Sequence, residues 1–293
     1  MKKILLLCSI FMCFVSYMPV EAATTTTTTV NGSVQWNSET GLARVEKIGK
    51  NLLSKNSLPT QVKFSVVETD DVNAFASGEN ELCVYTGLLN YVQDDDELAG
   101  VIAHEIGHII NNHVAKQSIA STISTNLIQN SELSENVKTG VAIANNLSLL
   151  KMSRTQENEA DVTGVDLMIK AGYNPLAMVS VLYKISGTYI DILQTHPSGD
   201  KRTMYIYDYL TYTYPDKLKS TYNSDAYTQF VAYATPIVQK RNASESKLKA
   251  FNKKQAKLQE KRLKKLAKYK NSSTVNPWSA SYTLLNAIST SSQ

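Results

Sequence analysis

Three of the four histidines in this chain lie within ten positions, in Val101-Ile102-Ala103-His104-Glu105-Ile106-Gly107-His108-Ile109-Ile110-Asn111-Asn112-His113. The apolar residues between them leave the segment few ways to fold. On an α-helix, positions four apart share a face, so His104 and His108 turn their imidazoles toward one point, where a single metal ion can take both. Glu105 is rotated by about 100° from His104, beside such a metal rather than on it. That placement suits a base acting on metal-activated water, and His104-Glu105-x-x-His108 has the pattern of a hydrolytic zinc site. The competing interpretation is a buried helix carrying two incidental histidines.

A catalytic zinc takes three protein ligands and keeps one position open. A third histidine would be expected ten residues beyond His104, but that position is Val114. His113 falls one residue short and off the ligand face of a continuous helix, so it is expected beside the site or on the surface. A carboxylate can come instead from Ser153-Arg154-Thr155-Gln156-Glu157-Asn158-Glu159-Ala160-Asp161-Val162-Thr163-Gly164. On a helix Glu157 and Asp161 share a face while Glu159 lies on another, although all three also fit a solvated acidic face.

His104-Glu105-x-x-His108, followed 49 residues after His108 by Glu157 within Ser-Arg-x-x-Glu-x-Glu-Ala-Asp-x-x-Gly, resembles the gluzincin metallopeptidases of the HtpX and CaaX prenyl endopeptidase family. It is similar in particular to the soluble periplasmic BepA- and LoiP-like members, without the helical-repeat domain that some of them carry. Further blocks match in order at Val72–Ala76, Val84–Leu89, Asp96–Val101, Ala171–Pro175 and Thr195–Arg202. The resemblance implies Glu157 as third zinc ligand and Asp161 in a supporting or proton-donating role. It places His196 and Arg202 at the cleft. There His196 would either hydrogen-bond the oxyanion or ligate zinc in a resting state. Arg202 would orient a carboxylate or the substrate backbone, or serve only as a salt bridge holding its loop.

The chemistry expected is peptide hydrolysis with one zinc per chain held by His104, His108 and Glu157, and Glu105 as base. The rival is a non-proteolytic assembly factor or chaperone keeping a structural zinc. Glu105 separates the two, because a structural site has no use for a base. Misfolded or misassembled cell-envelope proteins are the substrates that the resemblance implies.

Met1-Lys2-Lys3, the apolar stretch from Ile4 to Val15 and the Val20-Glu21-Ala22-Ala23 ending read as a signal peptide over residues 1–22. Export to a periplasm or cell envelope is therefore expected, with an uncleaved anchor as the alternative. Cys8 and Cys13 fall within that segment, which leaves Cys83 alone, expected as a small buried side chain. Residues 23–35 read as a flexible Thr-rich tether, 36–235 as the catalytic domain and 271–293 as a polar tail.

Within the domain the pattern predicts a helix from Trp36 to Lys55 and strands at 62–67, 72–75 and 81–85. It predicts a metal helix opened by Asp94–Glu97 and two covering helices between 118 and 151. Further helices are expected at 155–172, 176–187 and 201–212. The fold class is a mainly helical α+β protease domain, in which the resemblance places a small sheet above the cleft, where an exposed edge can pair with an extended substrate.

Charge is distributed unevenly. Residues 240–270 carry thirteen Lys/Arg against Glu245 and Glu260, a net of +11 in a chain whose total is +4, which leaves the remainder at −7. Leu248, Phe251, Leu258, Leu266 and Tyr269 recur near helical spacing, giving a basic amphipathic helix. It is expected either to lie on the acidic catalytic domain or to meet an anionic membrane surface or protein partner. Nucleic acid is not an expected partner, since no recognition motif accompanies the charge.

Overall fold

The computed structural model describes residues 28–30, 33–59, 62–76, 81–113, 152–187, 196 and 199–270. The expected signal peptide, the pair of helices between 118 and 151 and the polar tail lie outside these residues. Helix α1, Ser38–Lys55, begins where the Asn37 side chain accepts from the Thr40 amide at 2.8 Å and Thr40 Oγ1 accepts from the Asn37 amide at 3.3 Å. This reciprocal cap satisfies two otherwise unpaired donors. Its stripe of Val45, Ile48, Leu52 and Leu53 is buried against the sheet and the metal helix.

Three strands form that sheet: β3, Lys63–Val67; β4, Ala74–Ala76; and β5, Glu81–Tyr85. Their order is β3-β5-β4, with β3 parallel and β4 antiparallel to the central β5. Cys83 is buried on β5, as expected. Two strands, β1, Thr28–Val30, and β2, Ser33–Gln35, pair antiparallel within the stretch read as a tether. Thr and Val favour extended backbone. The end of that stretch therefore departs from the flexible tether expected.

Helix α2, Thr86–Tyr91, follows β5 directly. At six residues its periodicity is too short to read from sequence. Helix α3, Asp95–Ile110, is capped by Asp94, whose side chain accepts from the Glu97 amide at 2.9 Å, and is buried from Glu97 to Ile110. Acids at its first turn meet the positive end of the helix dipole. Helix α4, Arg154–Ala171, opens on a Ser153–Gln156 capping box and closes on Gly172 at φ +87°. Only glycine adopts that left-handed cap without strain. Helices α5, Leu176–Ser186, and α6, Asp200–Thr213, match the segments expected at 176–187 and 201–212.

A 3-10 turn at Pro215–Lys219 leads to α7, Asp225–Asn242, which packs on α5 through Phe230 and Ala234. The limit expected at residue 235 falls inside α7. Helix α8, Glu245–Lys270, is the basic helix. It lies on the catalytic unit: Arg262 reaches Asp166 of α4 at 2.6 Å and the Tyr209 hydroxyl of α6 at 2.7 Å, and Lys265 pairs with Glu159. Phe251 meets Tyr212 edge-on at 6.5 Å. Among the described residues no helix is long and apolar enough to cross a membrane.

Among the described residues the most extensive contact between two helices is that of α3 with α4, and glycine lets them approach on both sides. A Cβ on Gly107 would sit 2.6 Å from the Ala160 carbonyl oxygen, and one on Gly164 would sit 3.1 Å from the backbone of Ala103 and His104. Gly107→Ala is therefore expected to cost about 1–3 kcal/mol by forcing the helices apart, read as a lowered Tm in thermal unfolding. Gly187→Ala, whose Cβ would meet nothing nearer than 3.8 Å among the described residues, should change stability by less than about 0.5 kcal/mol. Equal Tm values for the two variants would show that the crossing tolerates a wider separation.

Candidate metal centre

His104 and His108 extend from one turn of α3 toward α4, where Glu157 occupies the first turn. His196 enters from the segment before α6. The four side chains are buried and place one ligand atom each within 4.8 Å of one another. The separations are 3.0 Å between His104 Nε2 and His108 Nε2, 3.4 Å from His108 Nε2 to Glu157 Oε1 and 3.4 Å from His104 Nε2 to His196 Nδ1. His196 Nδ1 lies 3.1 Å from Glu157 Oε1. Ligand atoms around a tetrahedral zinc, at about 2.0–2.1 Å from the ion, stand about 3.4 Å apart. The cluster matches in donor type and in size.

Charge matches as well. Glu105, Glu157 and Asp161 are buried carboxylates, and Arg202 is the buried guanidinium among them. Three carboxylates against one guanidinium leave two negative charges, which a divalent cation neutralises. Arg202 contacts Glu157 Oε2 at 2.5 Å and grips Asp161 through Nε at 2.6 Å and Nη2 at 2.7 Å. Asp161 Oδ1 lies 2.8 Å from His104 Nδ1, holding the ring so that Nε2 faces the cluster. Burial alone would push Glu157 and Asp161 up, but Arg202 and the histidine hydrogen bonds outweigh it and hold both below the usual carboxylate range.

Glu105 behaves differently. Burial raises its pKa despite His196, His104 and a hydrogen bond to Oε2 from the Ala76 amide at 3.1 Å. Its other oxygen, Oε1, has no hydrogen-bond partner among the described residues and lies 3.6 Å from His196 Nε2. On His196 burial opposes the cation, yet Glu105 and Glu157 prevail and raise its pKa. An ionisable group so perturbed, in a site with a carboxylate oxygen left unpaired, is characteristic of proton-transfer chemistry.

All seven residues singled out in the sequence converge here. Arg202 is ion-paired with Glu157 and Asp161. Glu159 points away from the ligand atoms, as its helix face requires, and pairs with His113 and Lys265. Burial would push Glu159 up, but these two partners hold it at about 2. His113 is buried against His108 rather than on the surface. Two contributors were not legible in the sequence. One is the Ala76 amide, because a backbone donor carries no residue-type signal. The other is an apolar pocket beside His104, His196 and Arg202, lined by Val101, Met178, Val181, Leu182 and Ile185, which only the packing of α3 on α5 assembles.

Comparison with known proteins places the same segment in context. The model of peptidase family M48 matches residues 40–208. Mitochondrial metalloendopeptidase OMA1 of Arabidopsis thaliana is 37% identical over 145 residues, covering 47% of this chain and 29% of the relative. The beta-barrel assembly-enhancing protease of Escherichia coli is 26% identical over 177 residues, covering 54% and 36%. Metalloprotease YcaL of Escherichia coli is 30% identical over 179 residues, covering 56% and 68%. The chain thus spans about a third of the length of the first two.

The ligand set predicts a sharp contrast on α4. Glu157→Ala should lose bound metal, whereas Glu159→Ala should still reach one equivalent when metal is supplied in excess, as read by elemental analysis of the purified proteins. Arg202→Met should destabilise the fold by about 3–5 kcal/mol, because it leaves Glu157 and Asp161 buried without their cation. Chemical denaturation measures that loss, and a change below about 1 kcal/mol would mean that Arg202 is not their main counter-charge.

Proposed function

This chain belongs to peptidase family M48, and on that premise we propose that it is a zinc-dependent endopeptidase. The observation that carries the proposal is Glu105, whose Oε1 faces the ligand cluster without a hydrogen-bond partner among the described residues. A structural metal site has no need of a base there, so the geometry favours the enzyme over a non-proteolytic assembly factor.

His104, His108 and Glu157 are the residues to hold zinc. Bound there, zinc supplies Lewis acidity, lowering the pKa of water toward about 7 and polarising a carbonyl. Glu105 takes the proton from the attacking water through Oε1 while the Ala76 amide fixes Oε2. Burial raises its pKa and so strengthens it as a base. The same carboxylate then returns the proton to the departing peptide nitrogen. Arg202 and Asp161 keep Glu157 and the His104 ring in place throughout.

His196 Nδ1 lies among the ligand atoms in this structure, which supports a resting arrangement that closes the site to substrate. Swung out of that set, its imidazolium is suited to donate to the oxyanion. Strand β4 forms the sheet edge beside Glu105, with Phe75 40% exposed. Pairing of an extended, unfolded segment along this edge would deliver peptide bonds to the base. Unfolded or misassembled proteins fit that requirement, and the name of the beta-barrel assembly-enhancing protease supports envelope assembly as the setting. The signal-like residues 1–22 support export to the periplasm or cell envelope. The outward lysines of α8, among them Lys247, Lys253 and Lys257, are exposed and suit an anionic lipid surface or an acidic partner.

Glu105→Gln should keep its metal and lose at least about 100-fold in hydrolysis of an unfolded protein. A chelator should abolish wild-type cleavage, added zinc should restore it, and a folded control protein should survive. Wild-type turnover by metal-loaded Glu105→Gln would remove Glu105 from the mechanism.

A further inference from the structure

The two histidines of the metal helix are held in different ways. The His104 ring rests on Asp161, the usual carboxylate support for a metal-binding imidazole. Among the described residues His108 has no carboxylate on its outer nitrogen. Its Nε2 faces Glu157 and His104, and its Nδ1 lies 3.0 Å from Nδ1 of His113. His113 Nε2 in turn lies 3.0 Å from Glu159 Oε2, and the same oxygen is paired with Lys265 of α8. Four residues from three parts of the chain thus form one line running outward from the ligand cluster.

A continuous helix cannot make this line, since position 113 would face away from position 108. Helix α3 instead stops at Ile110, and Asn112 takes φ +60°. Asparagine tolerates that left-handed conformation better than most residues. The turn is pinned by Asn111, whose side-chain amide donates to the Gly107 carbonyl at 2.9 Å and to Thr163 Oγ1 of α4 at 3.0 Å. The chain folds back on itself and His113 becomes buried at 1% exposure.

Proton placement along the line follows from His108 binding metal through Nε2. A neutral imidazole that binds metal through Nε2 carries its proton on Nδ1, so His108 donates and His113 Nδ1 must accept. The His113 proton then sits on Nε2 and is donated to the Glu159 carboxylate. Lys265 supplies the charge that keeps Glu159 an acceptor.

We propose that α8 is a working part of the metal site: Lys265, acting through Glu159 and His113, fixes the ring orientation and tautomer of His108. His113, Glu159 and Lys265 are positioning residues. The inference rests on reading His104, His108 and Glu157 as the ligand set. It gives the basic helix a role inside the catalytic unit that its outward charge does not reveal.

The test is zinc affinity of the full-length protein, measured by competition with a chromophoric chelator. His113→Phe fills the same space without ring nitrogens and should weaken zinc binding by about 10- to 100-fold, the range for lost support of a ligand. Lys265→Met should weaken it several-fold, and Asn252→Ala, at an exposed position of α8, should leave it unchanged. Because the residues act in series, Lys265→Met added to His113→Phe should produce no further loss. A purely structural contribution from α8 would instead give independent, multiplying effects.

Wild-type zinc affinity in Lys265→Met, or full multiplicative loss in the double variant, overturns the proposal. Should His113→Phe not fold, Glu159→Gln replaces it in the same cycle, because it keeps the shape and removes the charge. Glu157→Ala separates the two levels of argument: if it retains wild-type affinity, the ligand set itself is wrong. If it alone loses zinc while the three positioning variants do not, the ligand set stands and the line from Lys265 does not.

Discussion

One buried guanidinium conditions the rest of the site. Arg202 stands between Glu157 and Asp161, at 2.5 and 2.6 Å, and both carboxylates are fully removed from solvent. Burying either charge without a partner would cost several kcal/mol. Arginine keeps its proton under all ordinary conditions and presents a planar fork, so it can serve two carboxylates at once. Glu157 is thereby free to face the histidines while Asp161 braces the ring of His104. The position of α6, which carries Arg202, is consequently tied to the chemistry on α3 and α4. The hydroxyls of Tyr209 on α6 and of Tyr214 just beyond it, with Arg262 of α8, surround Asp166 on the neighbouring turn of α4 and reinforce the same alignment.

Much of this was legible in the sequence because it is encoded at helical spacing. His104 and His108 four apart, and Glu157 and Asp161 four apart, define faces without any knowledge of tertiary structure. The start of α3 followed from the acids at Asp94–Glu97 and the end of α4 from Gly172 as a stop, whereas α4 begins at Arg154, one residue before the start expected. The mainly helical α+β class was legible for the same reason, since strands and helices announce themselves by period. His196 and Arg202 were placed by resemblance, as nothing local distinguishes a cleft histidine from any other.

What failed to show was geometry created by a break in periodicity. His113 lies off the ligand face of an ideal helix, and that inference holds only while the helix continues. A left-handed Asn112 is what returns the side chain to His108, and one asparagine in a pair carries little positional signal. The dual character of α8 was hidden for another reason. Composition reports a net charge of +9 for α8, but not that Arg262 and Lys265 turn inward while their neighbours face solvent. Two of the eleven basic residues of α8 carry the docking onto α4, and a sum over the helix cannot identify them.

The sequence distance spanned by that docking has a temporal meaning. Lys265 and Glu159 are 106 positions apart, and Arg262 and Asp166 are 96 apart. Contacts of such separation close large loops and form after local helices have settled. A chain still being synthesised has all of residues 104–202 before any of α8 exists. The ligand residues can therefore gather while His108 still lacks the support of α8. On the proposed endopeptidase reading with unfolded substrates, the nearest unfolded chain during synthesis is the protein's own. On the proposed link from Lys265, the support of His108 is completed only when α8 settles, after the other described helices have been synthesised.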